Sequence, residues 1–188
     1  IFAKTLLMKP EFAKAHDEGD IHVHDLDFYA TGTLTCCQTD PLQLFADGGF
    51  NTGHGHLRTP NSIGSYGALA AIILQANQNE QHGGQSIPNF DYAMAPGVNK
   101  SFRKALNRAI RQYNRFSGNK EIEVKIPENL EYGDEKALKK LKLPEGIVES
   151  ANEDVERQTF QAMEGFIHNL NTMHSRAGAQ VPFTSINF

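Results

Sequence analysis

Apolar residues recur every three or four positions in four long stretches of the chain, and this spacing is typical of amphipathic α-helices. The predicted helices span residues 3–18, 61–78, 98–116 and 154–177, with a shorter helix at 135–141. Alternating or β-branched runs predict strands at 21–27 and 181–186, extended backbone at 28–38, and a short strand-like run after the glycines at 83–84. The glycine-rich residues 40–58 are expected to form a loop.

The last predicted helix carries two stripes. One is apolar and requires a core, whereas the other is polar but scarcely charged, which is unusual for a merely solvated face. The polar stripe consists of Gln161, Glu164, His168, Asn171 and Ser175. Two interpretations follow: a core helix with a tolerated polar rim, or an amide-rich helix that ends at the mouth of an active site.

Composition and charge narrow the class of protein. The 188 residues have a formal net charge of −4, which argues against an electrostatic grip on nucleic acid or an anionic membrane. No apolar run approaches the roughly 20 residues that span a bilayer, and the N-terminal residues predict an amphipathic helix instead of a signal peptide. The chain starts without methionine and stops inside a predicted strand, so we expect a piece of a longer protein.

Histidine pairs are the first candidate for chemistry. His22 and His24 form one H-x-H pair, and His54 and His56 form another. On a strand, an H-x-H pair places both rings on one face and can chelate a metal such as zinc. The pattern fixes no third or fourth ligand, so a metal-dependent hydrolase and purely structural histidines both remain open.

The adjacent Cys36 and Cys37 are the second candidate. They are the two cysteines of the chain, which favours a reducing compartment and thiol chemistry or burial over a disulfide framework. Adjacent strand residues point to opposite faces, so at most one of the two lines a given pocket. A third candidate is the glycine turn at 82–86, whose backbone N–H groups can form an anion nest.

Three blocks of the sequence carry a resemblance to a known family. They are HVHDLDFY leading to TCCQ, then EQHGGQSIPNFDYAMAP, then ERQTFQAMEGFIHNLNTMHSRAGAQVPFTSINF. Together they resemble the anaerobic (class III) ribonucleoside-triphosphate reductases, which are glycyl-radical enzymes. The resemblance implies an α/β fold, with residues 1–188 forming the N-terminal part of a ten-stranded α/β barrel. The charge-rich segment at about 118–149 matches no motif and is expected to be a surface excursion.

The resemblance also implies a radical mechanism and its residues. In this family a glycyl radical generates a thiyl radical on a loop cysteine, the thiyl removes the ribose 3′ hydrogen, and the 2′ hydroxyl leaves as water. Alignment through TCCQTD places the second, hydrogen-donating cysteine at Cys36, and His22 falls on a histidine at the substrate end of the site. His168, Asn171 and Ser175 are expected to bind the substrate, since uncharged groups can hydrogen-bond ribose hydroxyls. The loop cysteine, the radical glycine and the structural zinc site are expected outside this sequence, so no cofactor or metal is expected within it.

The resemblance further implies partners. Helices 61–78 and 98–116 are similar to those that pack across a homodimer and help bind a deoxynucleotide or ATP effector, with Ser62, Lys100 and Arg103 as candidate effector residues. A radical-SAM activase is the expected protein partner, the expected compartment is the cytoplasm, and nucleic acid and membrane are not expected partners. The reductant, formate or a thiol protein, depends on residues outside this sequence. The alternatives are a hydrolase using the H-x-H histidines and a non-catalytic nucleotide-sensing module.

Overall fold

The structure is a computed structural model that describes residues 1–31, 36–46, 48–53, 55–79, 81–117, 121–174 and 181–188. Within these residues the helices are a π-helical turn and six α-helices. They are the turn Ala3–Leu7, α1 Pro10–Glu18, α2 Pro41–Ala46, α3 Ile63–Gln78, α4 Phe90–Phe116, α5 Glu135–Leu141 and α6 Glu145–Thr172. The strands are β1 Cys37–Gln38, β2 Gly49–Asn51, β3 His56–Arg58, β4 Gln85–Ile87 and β5 Thr184–Ile186.

Strand β4 lies between β1 and β5 and is parallel to both. Its first residue, Gln85, is in register with Cys37 on one side and Thr184 on the other. The connections that return the chain to a parallel strand run through helices, α2 and α3 before β4 and α4 to α6 before β5. Parallel strands joined by helical crossovers define an α/β fold, which confirms the predicted fold class at this level.

The first predicted helix, 3–18, is wrong as a single element. It is divided into the π-helical turn and α1, because Pro10 disfavours helical backbone in the residue before it. Lys9 accordingly has φ −62° and ψ 142°, and Met8 is also extended. The predicted end of this helix at residue 18 is confirmed, since Gly19 follows α1 with φ 84°, a conformation that glycine adopts without strain.

Residues 40–58, predicted as a loop, contain α2 and the antiparallel hairpin of β2 and β3. Aromatic packing orders the segment: Phe45 is buried, and its ring centroid lies 6.5 Å from that of Phe50 and 5.0 Å from that of Tyr66. Gly49 has φ 113°, and a Cβ there would lie 1.9 Å from the carbonyl oxygen of Leu57. The glycines therefore allow close strand pairing here.

Helix α3 confirms its prediction closely. Ser62 is the N-cap, its side chain accepts a hydrogen bond from the backbone N–H of Ser65, and the two serines form a capping box. The helix is buried against α4 and α6. Ile73, which lies on the helix predicted to supply a dimer face, is only 6% exposed and packs in the core of this chain. That face of α3 is therefore not a free surface.

Two helices begin earlier than predicted. α4 begins at Phe90, eight residues before the predicted start, although Pro96 lies inside it and lacks the N–H that helix interiors use. Phe90 and Met94, four residues apart on one face of the first turns, are buried in the core, and this burial outweighs the loss. α6 begins at Glu145 because Ile147 extends the apolar stripe upstream into a buried position.

The first core cluster joins the sheet to the helices. Ile63, Ala70 and Leu74 of α3 are fully buried and pack with Ile87 of β4 and Phe166 of α6. Burial of each large side chain contributes roughly 1.5–3 kcal/mol relative to exposure. α3 is thus the central helix of this cluster.

The second core cluster lies farther along α4 and nearer the start of α6. Phe102 and Leu106 of α4 pack with Val155 of α6, and the connecting segment adds Ile126 and Leu130. The charge-rich segment therefore contributes two buried residues, 8% and 2% exposed, to this core. Its short helix α5 lies where the sequence predicts it.

Glycine substitutions test the packing of α3 against α4. A Cβ at Gly97 would lie 2.7 Å from Cδ2 of Tyr66, whereas nothing lies within 4 Å of a Cβ at Gly165 in α6. We expect Gly97→Ala to lower the free energy of unfolding by about 1–3 kcal/mol through overpacking. Gly165→Ala is the matched control and should raise it by up to about 1 kcal/mol through helix propensity. Urea unfolding measures both, and equal effects would contradict this packing.

A pH-dependent bond connects the second cluster's connecting segment to α6. The hydroxyl of Tyr132 donates to Glu156 Oε1 at 2.7 Å, and this bond together with partial burial raises the pKa of Tyr132 above its ordinary value. The bond requires the neutral phenol, so its stabilisation is complete below the ordinary tyrosine pKa of about 10 and is lost as pH rises through the raised value.

We therefore expect Tyr132→Phe to destabilise the protein at pH 8 by no more than about 1 kcal/mol, because the pair is partly exposed. The phenyl ring keeps the edge contact with Phe102, whose centroid is 5.4 Å away. In urea unfolding, the difference between variant and wild type should disappear as pH rises through the raised pKa of Tyr132. A difference that stays constant from pH 8 upward would contradict the bond.

Candidate active site

Three imidazole rings lie next to one another, that of His16 near the end of α1 and those of His22 and His24 in the loop that follows. The Nδ1 atom of His16 accepts the backbone N–H of Val23 at 3.1 Å, which holds the loop against the end of α1. The ring centroids of His16 and His22 are 5.7 Å apart, and those of His22 and His24 are 6.1 Å apart. A tertiary hydrogen bond therefore positions His22 and His24.

The predicted strand at 21–27 is wrong, and so is the extended backbone at 28–31. Residues 24–31 form turns, with the N–H of Phe28 donating to the carbonyl of Asp25 at 2.9 Å and that of Thr31 to the carbonyl of Phe28 at 3.0 Å. Asp25 has φ 48°, a left-handed conformation that aspartate tolerates better than most residues. Local turn bonds and this left-handed residue break the alternation that a strand requires.

Cys36 lies directly before β1 and is exposed. Its Sγ, a ring nitrogen of His24 and a carboxylate oxygen of Asp25 all lie within 4.8 Å of one another. His24 Nε2 is 3.3 Å from Asp25 Oδ2. The structure thus brings the predicted Cys36 together with the histidine loop, although the loop is not a strand.

Cys37 has a different environment, in a cluster of amides that sequence reasoning missed. Its thiol donates to Gln81 Oε1 at 3.0 Å, and Asn77 Nδ2 lies 2.7 Å from its sulfur. The same Asn77 nitrogen lies 2.9 Å from Gln81 Oε1 and 3.0 Å from Gln85 Oε1. Two N–H groups thus serve three acceptors, which holds the half-buried Cys37 thiol in a polar cluster.

The side-chain amides of the cluster also donate hydrogen bonds to backbone carbonyls. Gln81 Nε2 donates to the carbonyl of Gly83 at 2.9 Å, and Gln85 Nε2 donates to the carbonyl of Leu74 at 2.7 Å. Gln81 and Gln85 are 7% and 3% exposed. The sequence signal for this cluster was a run of amide residues at the end of an apolar helix. Cys37, which these amides contact, is distant from them in the sequence.

Part of the backbone in the predicted anion nest at residues 82–86 is already hydrogen-bonded within the protein. The N–H of Gln85 donates to the carbonyl of Phe183 at 2.9 Å, and the carbonyl of Gly84 accepts the N–H of Cys37 at 3.1 Å. The ring of His82 stacks on Phe28. These contacts attach the turn to the sheet and to the histidine loop, and the N–H of Gln85 is not available to an anion.

A cavity of about 510 Å³ opens beside Cys37, between β1, the hairpin and the end of α3. Its lining is mixed, with backbone and side-chain polar groups next to apolar residues. The lining residues include Gln38, Thr39, Phe50, Asn51, Ile73 and Asn77. The cavity thus borders the first core cluster at Ile73 and offers polar groups on its other sides.

The predicted substrate residues on α6 lie on an exposed face. His168 and Asn171 are both exposed near the end of the helix, which stops at Thr172. Ser175, the last residues of the helix predicted at 154–177 and His54 lie outside the described residues. Among the described residues, no hydrogen bond or ligand cluster joins His168 or Asn171 to Cys36, so the structure does not bring these candidates together.

The predicted effector residues form internal contacts. Ser62 caps α3, and the amino group of Lys100 donates to the carbonyl of Pro60 at 2.9 Å and to the hydroxyl of Tyr66 at 3.2 Å. Arg103 Nη1 donates to the carbonyl of Leu130 at 2.7 Å. Each therefore has a structural role, and effector binding stays a prediction.

The fold and the site together define an α/β protein with a free thiol beside imidazole and carboxylate groups at the start of a parallel strand. A family model described as anaerobic ribonucleoside-triphosphate reductase matches residues 1–188. The chain belongs to this family. Across the described residues, no helix is long and apolar enough to cross a membrane.

Relatives with this description come from a phage and from bacteria. The chain is 29% identical to the anaerobic ribonucleoside-triphosphate reductase of Enterobacteria phage T4 over 183 residues, which cover 96% of this chain and 25% of that protein. It is 27% identical to that of Haemophilus influenzae and 25% identical to that of Escherichia coli, each over 187 residues that cover 100% of this chain and 22% of the relative. The chain thus spans about a quarter of the length of these curated relatives.

Removal of the central amide tests the cluster around Cys37. Asn77→Ala removes the amide donor to Gln85 Oε1 and to the sulfur of Cys37 in a largely buried site, so we expect a loss of about 1–3 kcal/mol in the free energy of unfolding. Asn79→Ala, at the exposed C-cap of α3, is the matched control and should change it by less than about 0.5 kcal/mol. Reaction of Cys37 with a thiol reagent should also accelerate in Asn77→Ala alone. Equal stability of the two variants would show that the cluster is not formed.

Proposed function

We propose that the protein acts as part of an anaerobic ribonucleotide reductase that converts ribonucleoside triphosphates to deoxyribonucleoside triphosphates. The family match over the whole chain supports the activity. The exposed thiol of Cys36 beside His24 and Asp25, at the start of β1, is the structural observation that carries it.

We also propose that the sheet belongs to the ten-stranded barrel that the family resemblance implies. The three strands are parallel, their connections are helical, and β1 and β5 each have one paired neighbour within the described residues. Strand edges tend to be paired or covered, and further strands on both sides would satisfy these two. The charge-rich segment at 118–149 then lies outside the barrel wall.

In the proposed mechanism Cys36 donates a hydrogen atom to the substrate. When present, the glycyl radical, which the resemblance places elsewhere in the protein together with structural zinc, supplies the oxidising equivalent that starts the reaction. After the 2′ hydroxyl leaves as water, the S–H bond of Cys36 breaks homolytically and a C–H bond forms at the ribose, which leaves a sulfur-centred radical at Cys36. The reductant, formate or a thiol protein, must then supply the hydrogen equivalents that return Cys36 to a thiol. This role requires a protonated thiol, because a thiolate has no hydrogen atom to give.

The substrate-binding residues are proposed around this thiol. His22 belongs to the imidazole row next to His24 and is proposed to bind the substrate. His168, Asn171 and Ser175 are proposed to hydrogen-bond ribose hydroxyls. Their exposure leaves His168 and Asn171 free to meet a ligand or another part of the protein.

Regulation and assembly follow the family resemblance in the same way. We propose that deoxynucleotide or ATP effectors bind at Ser62, Lys100 and Arg103. The proposed protein partner is a radical-SAM activase, and the intact enzyme is proposed to be a homodimer in the cytoplasm. Two of the three N–H groups of Lys100 already bind Pro60 and Tyr66, so effector phosphate would meet the third or displace these bonds. Positive charge that would attract a triphosphate comes from four basic residues of α4, which are Lys100, Arg103, Lys104 and Arg108.

The two alternatives have less support. A hydrolase built on an H-x-H strand loses its geometric basis, because His22 and His24 lie in a loop and turns. A non-catalytic sensing module assigns no role to Cys36, whereas the whole chain matches a family of reductases.

Serine substitutions separate the two cysteines. In the intact, activated enzyme, Cys36→Ser preserves shape but replaces a weak S–H bond with a strong O–H bond, so turnover should fall by at least about 10³-fold, typical of losing a group required for the chemical step. Cys37→Ser is the matched variant, since serine can still donate to Gln81 and accept from Asn77. It should remain active, with a stability change of less than about 1.5 kcal/mol.

Anaerobic assay of deoxynucleotide formation, with activase and reductant supplied, measures both variants. Retention of activity in Cys36→Ser with loss in a folded Cys37→Ser would assign the hydrogen donor to Cys37 and contradict the proposal. The 188-residue chain by itself should show no turnover.

A further inference from the structure

We propose that His24, Asp25 and Cys36 form a binding site for a divalent metal of the zinc class, and that metal bound there blocks the Cys36 thiol. The three ligand atoms lie within 4.8 Å of one another, and they come from two segments that the fold brings together. Metal binding rests on this geometry alone, whereas the inhibitory consequence rests on the proposed function.

The distances are close to those of a tetrahedral site. Zinc bonds of about 2.0–2.3 Å place neighbouring ligand atoms roughly 3.3–3.8 Å apart. His24 Nε2 and Asp25 Oδ2 already lie 3.3 Å apart. The three ligand atoms lie within 4.8 Å of one another, so closure onto a metal requires Cys36 Sγ to move by no more than about 1 Å, which an exposed side chain can do by a small rotation.

The donor set selects the metal. One thiolate sulfur, one imidazole nitrogen and one carboxylate oxygen suit zinc and its analogues cobalt and cadmium, whereas magnesium and calcium prefer oxygen ligands. His24 is exposed, so the fourth position is open to water. An open fourth position is typical of exchangeable sites and not of closed structural ones.

The backbone holds two of the ligands in place. Asp25 has φ 48°, and its carbonyl accepts the N–H of Phe28, so the carboxylate is presented from a turn that few residues adopt. The bond from Val23 to His16 fixes the loop on the other side of His24. Both ligands therefore stay near the position of Cys36 without the metal.

The chemistry predicts inhibition. The metal displaces the thiol proton, forming a metal–sulfur bond and releasing one H⁺ with no change of oxidation state. A metal-bound thiolate has no S–H bond, so it cannot supply a hydrogen atom. Zinc should inhibit the reductase reversibly, and a chelator should restore turnover.

Cobalt provides the direct test, because a Co²⁺–thiolate bond has a charge-transfer absorption. We expect the intact protein, titrated anaerobically with Co²⁺, to show this band, with difference spectra against Cys36→Ser removing the contribution of any other thiolate. Asp25→Asn keeps a residue that tolerates the left-handed backbone but removes the charge. Asp25→Asn and His24→Gln should each raise the apparent Kd by at least about tenfold.

Cys37→Ser is the control and should keep the band, since its sulfur binds Asn77 and Gln81 instead. The apparent Kd should rise about tenfold for each unit by which the pH is lowered, because binding releases one proton from the sulfur. A band of equal strength in wild type and Cys36→Ser, or one lost in Cys37→Ser, would overturn the site.

Activity assays then separate the two proposals. Inhibition by zinc that is relieved in His24→Gln supports both the site and its consequence. Cobalt binding without inhibition would leave the site in place and overturn the blocking role. Absence of reductase activity in the activated wild-type enzyme would contradict the proposed function but not the metal site.

Discussion

The backbone and side chain of Gln85 join three parts of the molecule. Its backbone lies in register with Cys37 and Thr184 in the parallel sheet, its N–H binds the carbonyl of Phe183, and its amide binds the carbonyl of Leu74 in α3. The residue is 3% exposed, so an unpaired amide would be costly there. The position of β4, and with it the position of the cysteines, therefore depends on satisfying this one buried side chain.

The sheet register divides the two cysteines between two environments. Cys37 is paired in β1 and its sulfur lies among the amides of Asn77 and Gln81, whereas Cys36, directly before the strand, lies near His24 and Asp25. A thiol held by amides and a thiol beside an imidazole and a carboxylate differ in what they can bind. One strand end thus presents two thiols with different chemistry.

The long helices α4 and α6 connect the sheet region to the rest of the chain. α4 and α6 each pass through both core clusters, so the packing of Phe166 near the sheet and of Val155 near Leu130 belongs to one rigid pair of helices. The charge-rich segment is tied to that pair by two buried side chains and by the bond of Tyr132 to Glu156. Displacement of this segment would therefore disturb the end of the helices distant from the thiols.

The sequence by itself determined the features that depend on a few neighbouring residues: the periodicity and N-cap of α3, the end of α1 at Gly19, the short helix α5 and the family resemblance. Tertiary structure decided the features that depend on distant partners. Pro96 favours a helix break until the burial of Phe90 is included, and the H-x-H run alternates like a strand until the bond from Val23 to His16 is formed. The amide cluster around Cys37 joins residues 40 or more positions apart, and local periodicity carries no information about such long-range hydrogen bonds and burial.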